Sequence, residues 1–193
     1  MNKKPIVVNL FGGPGVGKST GAAYVFSILK MQGVNCELVQ EFAKDKTWEH
    51  NMLALSNQAY VFGKQCYRMS RCANQVDVIV TDSPLLLSVI YNNDLGNTFN
   101  KMVLEVFNSY NNLNFMLERV KPYNPIGRNQ TEEESNQLNT NIQAVLLDNN
   151  VGFTYIDGDI DGYNEIVREV MHEINKRNDW GDYVVWNWGA QKW

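Results

Sequence analysis

Short apolar runs alternate along the chain with longer segments in which apolar residues recur every three or four positions. The short runs are rich in β-branched residues, which favours buried strands, whereas the longer period favours helices packed on one face. We predict strands over residues 5–11, 36–40, 76–81, 114–118 and 152–156. We predict helices over residues 19–32, 48–74, 99–110, 131–149 and 163–177.

This alternation predicts an α/β fold: a five-stranded, mainly parallel sheet with helices on both faces. A chain of 193 residues suits one domain, which we expect to span residues 1–178. The remaining tail, 179–193, is crowded with aromatic residues. We expect it to pack back on the domain; the alternative is a contact with a partner or with a second copy in a homodimer, because exposed aromatic clusters are costly unless covered.

Composition narrows the class of protein. The chain has 17 basic and 21 acidic residues and a net charge of -4, which disfavours broad, nonspecific nucleic-acid binding. No apolar run approaches the ~20 residues needed to span a bilayer, and the N-terminal run does not resemble a signal peptide. We therefore expect a cytoplasmic protein without a membrane partner. The three cysteines form no C-x-x-C pair, so we expect neither a disulfide framework nor a zinc site.

The segment from Gly12 to Ser19 fits the pattern G-x-x-x-x-G-K-[ST], and it lies between the first predicted strand and the first predicted helix. Glycines allow the backbone to approach phosphates closely, and N–H groups at a helix N-terminus attract anions. We expect ATP to be bound here, with Lys18 at the β- and γ-phosphates and the Ser19 hydroxyl on Mg²⁺. The expected nucleotide-binding residues are Gly13, Pro14, Gly15, Val16, Gly17, Lys18, Ser19 and Thr20.

Asp82 follows an apolar strand, so it is expected at the carboxyl edge of the sheet, where ligands of open α/β sheets bind. A carboxylate there can hold Mg²⁺ directly or through water. The alternative is a turn or capping residue, and the two roles are compatible.

Three segments resemble nucleoside and nucleotide kinases of the P-loop class. They are the phosphate loop, Gln40-Glu41-Phe42-Ala43 and Thr81-Asp82-Ser83-Pro84, and the resemblance covers about residues 5–160. The segment Lys121-Pro122-Tyr123-Asn124, followed by Gly127-Arg128, is similar to phage-encoded P-loop kinases, some of which phosphorylate 5-hydroxymethyluracil within DNA. The resemblance implies the three-layer P-loop NTPase fold and kinase activity.

It also implies roles for several residues. Glu41 matches the glutamate that takes the proton of the attacking hydroxyl, with Asp45 as a second choice. Residues 119–131 lie where these enzymes carry a basic lid; Arg128 and then Arg119 are expected to meet the γ-phosphate. The alternative for Glu41 is a surface glutamate that caps the loop, and the alternative for residues 119–131 is a solvated basic surface loop.

The segment between the second and third strands is where such kinases place the acceptor. Gln58 is expected to read a base edge, and Trp48 or Phe62 to stack on a base; the alternative for each aromatic is a core position. The resulting hypothesis is a kinase acting on a nucleoside or nucleotide, with a hydroxymethylpyrimidine base in DNA as the alternative acceptor. Hypotheses of another class are an ATPase or a nucleotide-binding module without an acceptor.

Overall fold

The protein is built around a five-stranded sheet in which every strand pair is parallel. A computed structural model of the protein describes residues 4–126 and 130–177. The strand order is β2-β3-β1-β4-β5, and helices lie on both faces, so the predicted fold class is confirmed. The strands are β1 (Ile6–Phe11), β2 (Cys36–Val39), β3 (Val78–Thr81), β4 (Asn111–Glu118) and β5 (Thr154–Asp157).

Eight helices connect and follow these strands within the described residues. They are α1 (Lys18–Met31), α2 (Phe42–Trp48), α3 (Met52–Ser56), α4 (Gln58–Ala73), α5 (Leu87–Ile90), α6 (Asn97–Asn108), α7 (Glu132–Asp148) and α8 (Ile160–Arg177). None of the described helices is both long enough and apolar enough to cross a membrane.

Each face of the sheet has its own hydrophobic core. Alternate residues of β1 point to opposite faces: Val8 and Leu10 pack with α1 and α8, whereas Val7 and Phe11 pack with α4, α6 and α7. Because both faces are covered, all six residues of β1 are buried and the strand has no polar side facing water.

The strand order brings three loops together at the carboxyl edge of the sheet. β1 lies between β3 and β4, with Asn9 paired to Thr81 and Phe11 paired to Met116. The phosphate loop after β1 therefore has the loop that begins at Asp82 on one side and the segment that begins at Arg119 on the other. In open parallel sheets this edge is where ligands bind.

The single helix predicted over residues 48–74 is wrong. The structure instead ends α2 at Trp48 and continues with α3 and α4, which are separated by short breaks. His50 adopts a left-handed backbone conformation with φ of 53°, and the side chains of Asn51 and Asn57 cap the next two helices. Asparagine side chains that bond the backbone compete with a continuous helix, which explains the breaks.

Elsewhere the predicted elements exist with shifted ends. The short helix α5 was not predicted, and β4 begins at Asn111 rather than at residue 114. The start of α7 is confirmed, since Thr131 and Glu134 form a complete capping box. The aromatic tail and Arg128 lie outside the described residues.

Candidate active site

The phosphate loop joins β1 to α1 with the strand–loop–helix geometry that its sequence predicts. Gly12, Gly15 and Gly17 have positive φ values of 139°, 85° and 105°, which favour glycine. The ammonium group of Lys18 donates to the carbonyl oxygens of Gly12 at 2.7 Å and Gly13 at 3.0 Å. The Lys18 side chain therefore lies across the first half of the loop. Its ammonium group would reach a bound phosphate by breaking its hydrogen bonds to the Gly12 and Gly13 carbonyls.

Two helices pack directly against the backbone of this loop. A Cβ atom added to Gly13 would lie 2.4 Å from the carbonyl oxygen of Ser135 on α7. A Cβ atom added to Gly17 would lie 2.4 Å from the phenol oxygen of Tyr163 on α8, which donates a hydrogen bond to the Gly17 carbonyl. Glycine is thus needed at both positions for close packing, and at Gly17 also for its positive φ.

The two candidate acidic residues lie side by side at the ends of β2 and β3. The Glu41 N–H donates to a carboxylate oxygen of Asp82 at 3.0 Å, and Asp82 is only 4% exposed. Burial raises the pKa of Glu41 above the ordinary carboxyl value; Lys18 opposes this shift and the Asp82 charge adds to it. Lys18 and Asp82 therefore both lie within electrostatic reach of the Glu41 carboxyl group.

Side chains of α4 hold the backbone on both sides of Glu41. The Gln65 amide accepts from the Phe42 N–H at 3.0 Å and donates to the Gln40 carbonyl at 3.4 Å, and it is 4% exposed. Arg68 donates to the same Gln40 carbonyl at 3.2 Å. This role of Gln65 was not predicted; its one indication in the sequence is an amide among the apolar positions of a helix.

Arg68 also forms a short ion pair with Asp45, the second-choice base. Asp45 lies within α2, beyond the end of β2, and its carboxylate is paired outside the Lys18–Glu41–Asp82 group. This pairing makes Glu41 the better candidate of the two.

Arg119, predicted as a lid cation, contacts the start of α7. Its guanidinium donates to Glu132 at 3.0 Å and to the Ser135 hydroxyl at 2.6 Å, and it lies over the Tyr123 ring. Its Nε atom is buried without a hydrogen-bond partner among the described residues. Arg119 therefore links the start of the segment predicted as a lid (residues 119–131, here called the lid segment) to the helix that follows it. Any direct contact of Arg119 with a γ-phosphate stays a prediction, as it does for Arg128.

The three predicted acceptor residues have different environments. Trp48 is 62% exposed, Gln58 is at the first position of α4 with 9% exposure, and Phe62 is 5% exposed. Phe62 packs edge-on against Phe99 in the core on that face of the sheet. It has almost no free surface for a base to stack on, because its position at helical spacing turns it inward. Trp48 and Gln58 stay predictions.

The residues present fit a magnesium ion of the kind that binds with a nucleotide. Mg²⁺ prefers oxygen ligands and usually takes only one or two from protein, with phosphates and water completing its shell. The Ser19 hydroxyl, in the first turn of α1, and the Asp82 carboxylate, directly after β3, are oxygen groups of this kind. Within the described residues no group of three or more His, Cys, Asp or Glu side chains forms a separate metal cage.

Comparisons with known proteins agree with this architecture. A family model described as "AAA domain" matches residues 7–162. The structure is similar to the NadR protein in complex with NR, with a TM-score of 0.64 and 16% identity over 88% of this chain and 51% of that chain. It is also similar to a deoxyadenosine kinase from M. mycoides with dCMP and dCDP bound, with a TM-score of 0.50 and 18% identity, covering 88% of this chain and 99% of that one.

The chain spans about half the length of the NadR chain. No curated protein sequence matches it significantly. The structural likenesses, at this level of identity, establish the fold, whereas the family match extends over most of the chain. The protein therefore belongs to the AAA domain family, and it has the fold of P-loop kinases.

Proposed function

We propose that this protein is an ATP-dependent kinase that transfers the γ-phosphate to a hydroxyl or phosphate group of a nucleoside-like acceptor. The observation that carries the proposal is the contact between the Glu41 N–H and the Asp82 carboxylate, beside the phosphate-loop lysine. It supplies a candidate base, a candidate magnesium ligand and a phosphate-binding cation in one place.

The chemistry follows from these groups. Lys18 would move from the Gly12 and Gly13 carbonyls to the phosphates and stabilise the charge that develops there. Glu41 would take the proton of the acceptor hydroxyl while the new oxygen–phosphorus bond forms and ADP leaves. Phosphoryl transfer needs little else from protein than positioning and charge neutralisation.

Burial prepares Glu41 for this role. A carboxyl group whose pKa is raised holds a proton more strongly, so it is a better base once ionised than an ordinary surface glutamate. Ser19 and Asp82 would hold Mg²⁺, which neutralises charge on the phosphates when it is bound with ATP.

The acceptor class rests on two further points. One of the two similar structures contains NR and the other contains dCMP and dCDP. Each of these ligands includes a nucleoside, as does the acceptor proposed for this chain. In this chain, the exposed indole of Trp48, at the end of α2, would supply a stacking partner for a base, and Gln58, at the first position of α4, would supply an amide that is 9% exposed.

A nucleobase within DNA is a second candidate acceptor, and the charge of the α2–α4 region favours it. The chain as a whole has a net charge of -4, but residues 42–73 carry five basic side chains and two acidic ones. Exposed aromatic rings accompany them, Trp48 and Tyr67 among them. Cations with interleaved aromatics suit a single strand, whose backbone is charged and whose bases stack.

An acceptor screen with γ-labelled ATP tests the proposal. It should include nucleosides, their monophosphates, NR, and single- and double-stranded DNA with and without hydroxymethylpyrimidines. We expect label transfer to one class of acceptor. Transfer to DNA alone would select the second candidate, and release of free phosphate without any labelled acceptor would favour an ATPase and contradict both.

Replacing Gln65 tests whether the base depends on α4. Gln65→Ala removes the contacts to the backbone at residues 40 and 42, so Glu41 should lose its fixed position. We expect kcat to fall by roughly 10-fold to 10²-fold with little change in the KM for ATP, because misplacing a catalytic group acts mainly on the chemical step. Gln75→Ala, at an exposed amide beyond the end of α4, is the matched control and should leave kcat unchanged. Equal kcat values in both variants would rule out the positioning role.

A further inference from the structure

The first half of the phosphate loop is held from outside by one face of α7. Ser135 and Asn139 are four residues apart, so their side chains lie on the same side of the helix. The Asn139 side-chain oxygen accepts from the Gly13 N–H at 2.9 Å. The Ser135 hydroxyl donates to the Pro14 carbonyl at 2.6 Å. We call these two hydrogen bonds the α7 contact.

The α7 contact and Lys18 act on neighbouring groups of the same stretch of backbone. In the peptide unit between Gly12 and Gly13, the N–H donates a hydrogen bond to Asn139 and the carbonyl oxygen accepts one from Lys18. Its orientation is therefore fixed from both sides. A glycine-rich segment without such contacts loses much conformational entropy when it orders around a ligand.

The fit between α7 and the loop is tight. Ser135 is fully buried, and Gly13 has no room for a side chain against it. The Ser135 hydroxyl also accepts from Arg119, whose guanidinium pairs with Glu132 at the opposite end of the lid segment. The phosphate loop is thus joined through one hydroxyl to the residues that bound the lid.

We propose that Ser135 and Asn139 are positioning residues that hold Gly13 and Pro14 in the conformation that binds nucleotide. The proposal rests on the proposed function, because it concerns the same nucleotide site. A preorganised loop loses less conformational entropy when ATP binds, so the α7 contact strengthens ATP binding although neither residue contacts ATP.

ATP binding to the full-length protein, measured by calorimetry, tests the proposal without knowledge of the acceptor. Asn139→Leu removes the acceptor of the Gly13 N–H, and we expect its Kd for ATP to rise about 5- to 30-fold. Asn136→Leu is the matched control, since Asn136 lies exposed on the same helix, and its Kd should equal that of the wild type. Ser135→Ala should also weaken binding, and the double variant should be less than additive because both residues hold one dipeptide.

Hydrogen exchange separates positioning from a general loss of structure. The phosphate-loop peptide should exchange faster in Asn139→Leu than in the wild type, while the peptides of β1 and α1 stay protected. Asn139→Asp keeps an oxygen acceptor, so its loop peptide should exchange as slowly as the wild type. Fast exchange in Asn139→Asp, or general loss of protection in Asn139→Leu, would overturn the proposal.

The binding data distinguish two kinds of failure. If the wild type binds ATP and Asn139→Leu binds it equally well, the positioning role is wrong and the proposed kinase function is untouched. If the wild type itself does not bind ATP, the proposed function fails and the positioning role fails with it.

Discussion

Lys18→Ala is expected to abolish measurable phosphoryl transfer while the protein remains folded. Lys18 is the cation of the phosphate loop, and its ammonium group lies on the carbonyls of Gly12 and Gly13, outside both hydrophobic cores. Removing a charge that stabilises the transferred group costs at least about 10²- to 10³-fold in rate. Transfer should be measured with labelled ATP, and folding by circular dichroism and Tm.

A second consequence of Lys18→Ala adds to this loss. Lys18 lowers the pKa of Glu41, so its removal shifts the pKa of that carboxyl still higher and leaves less of the base ionised. Lys30→Ala is the matched control, because Lys30 is exposed in the last turn of the same helix. The control should retain wild-type turnover; wild-type turnover in Lys18→Ala would contradict the role assigned to the phosphate loop.

Glu41→Gln is expected to slow transfer by roughly 10²-fold or more while ATP still binds, since the amide cannot accept the hydroxyl proton. The kcat/KM of the wild type, which reports the free enzyme, should rise with pH through the pKa of Glu41, which burial places above the ordinary carboxyl range. Glu37→Gln, at an exposed position of β2, should keep both the rate and the pH profile. An unchanged rate in Glu41→Gln would remove Glu41 from the reaction.

The same substitution should stabilise the unliganded protein at neutral pH. The folded state binds the Glu41 proton more tightly than the unfolded chain does, so stability falls as pH rises from the ordinary carboxyl value through the raised pKa. A neutral amide avoids the cost of a buried charge. Glu41→Gln should therefore have a higher Tm than the wild type above this pH range and a smaller difference below it, whereas Glu37→Gln should show neither effect. A lower Tm at neutral pH would contradict the inferred pKa shift.

The features predicted best from sequence are those encoded in short stretches. The phosphate loop is contiguous with the strand and helix that position it, so its pattern carries its structure. Asp82 could be selected because it follows an apolar run, whereas the role of Glu41 came from the resemblance of its segment to nucleoside kinases. Their direct contact depends on β2 being the neighbour of β3, a pairing between strands 42 residues apart that the sequence does not state.

Contacts between residues far apart in the sequence could not be predicted from the hydrophobic pattern. Asn139 bonds to Gly13 across 126 positions, and it stands in an asparagine-rich helix where nothing distinguishes it from Asn136. The contacts of Gln65 with residues 40 and 42 could not be predicted either, because the sequence does not show which backbone groups a buried amide on a helix will bond. The helix breaks in the region 48–74 could have been predicted, because asparagine is a preferred capping residue and Asn51 and Asn57 cap the two helices there. The helical spacing of the apolar residues around them favoured one continuous helix instead.

The fate of the terminal phosphate of ATP shows whether the protein is a kinase. Wild-type protein should be incubated with γ-labelled ATP, Mg²⁺ and the mixed acceptors, and the labelled products separated into organic phosphates and inorganic phosphate. We expect label in an organic phosphate, and we expect its formation to disappear in Lys18→Ala and to fall steeply in Glu41→Gln. Label in inorganic phosphate alone, at a rate unaffected by any acceptor, would contradict the kinase function.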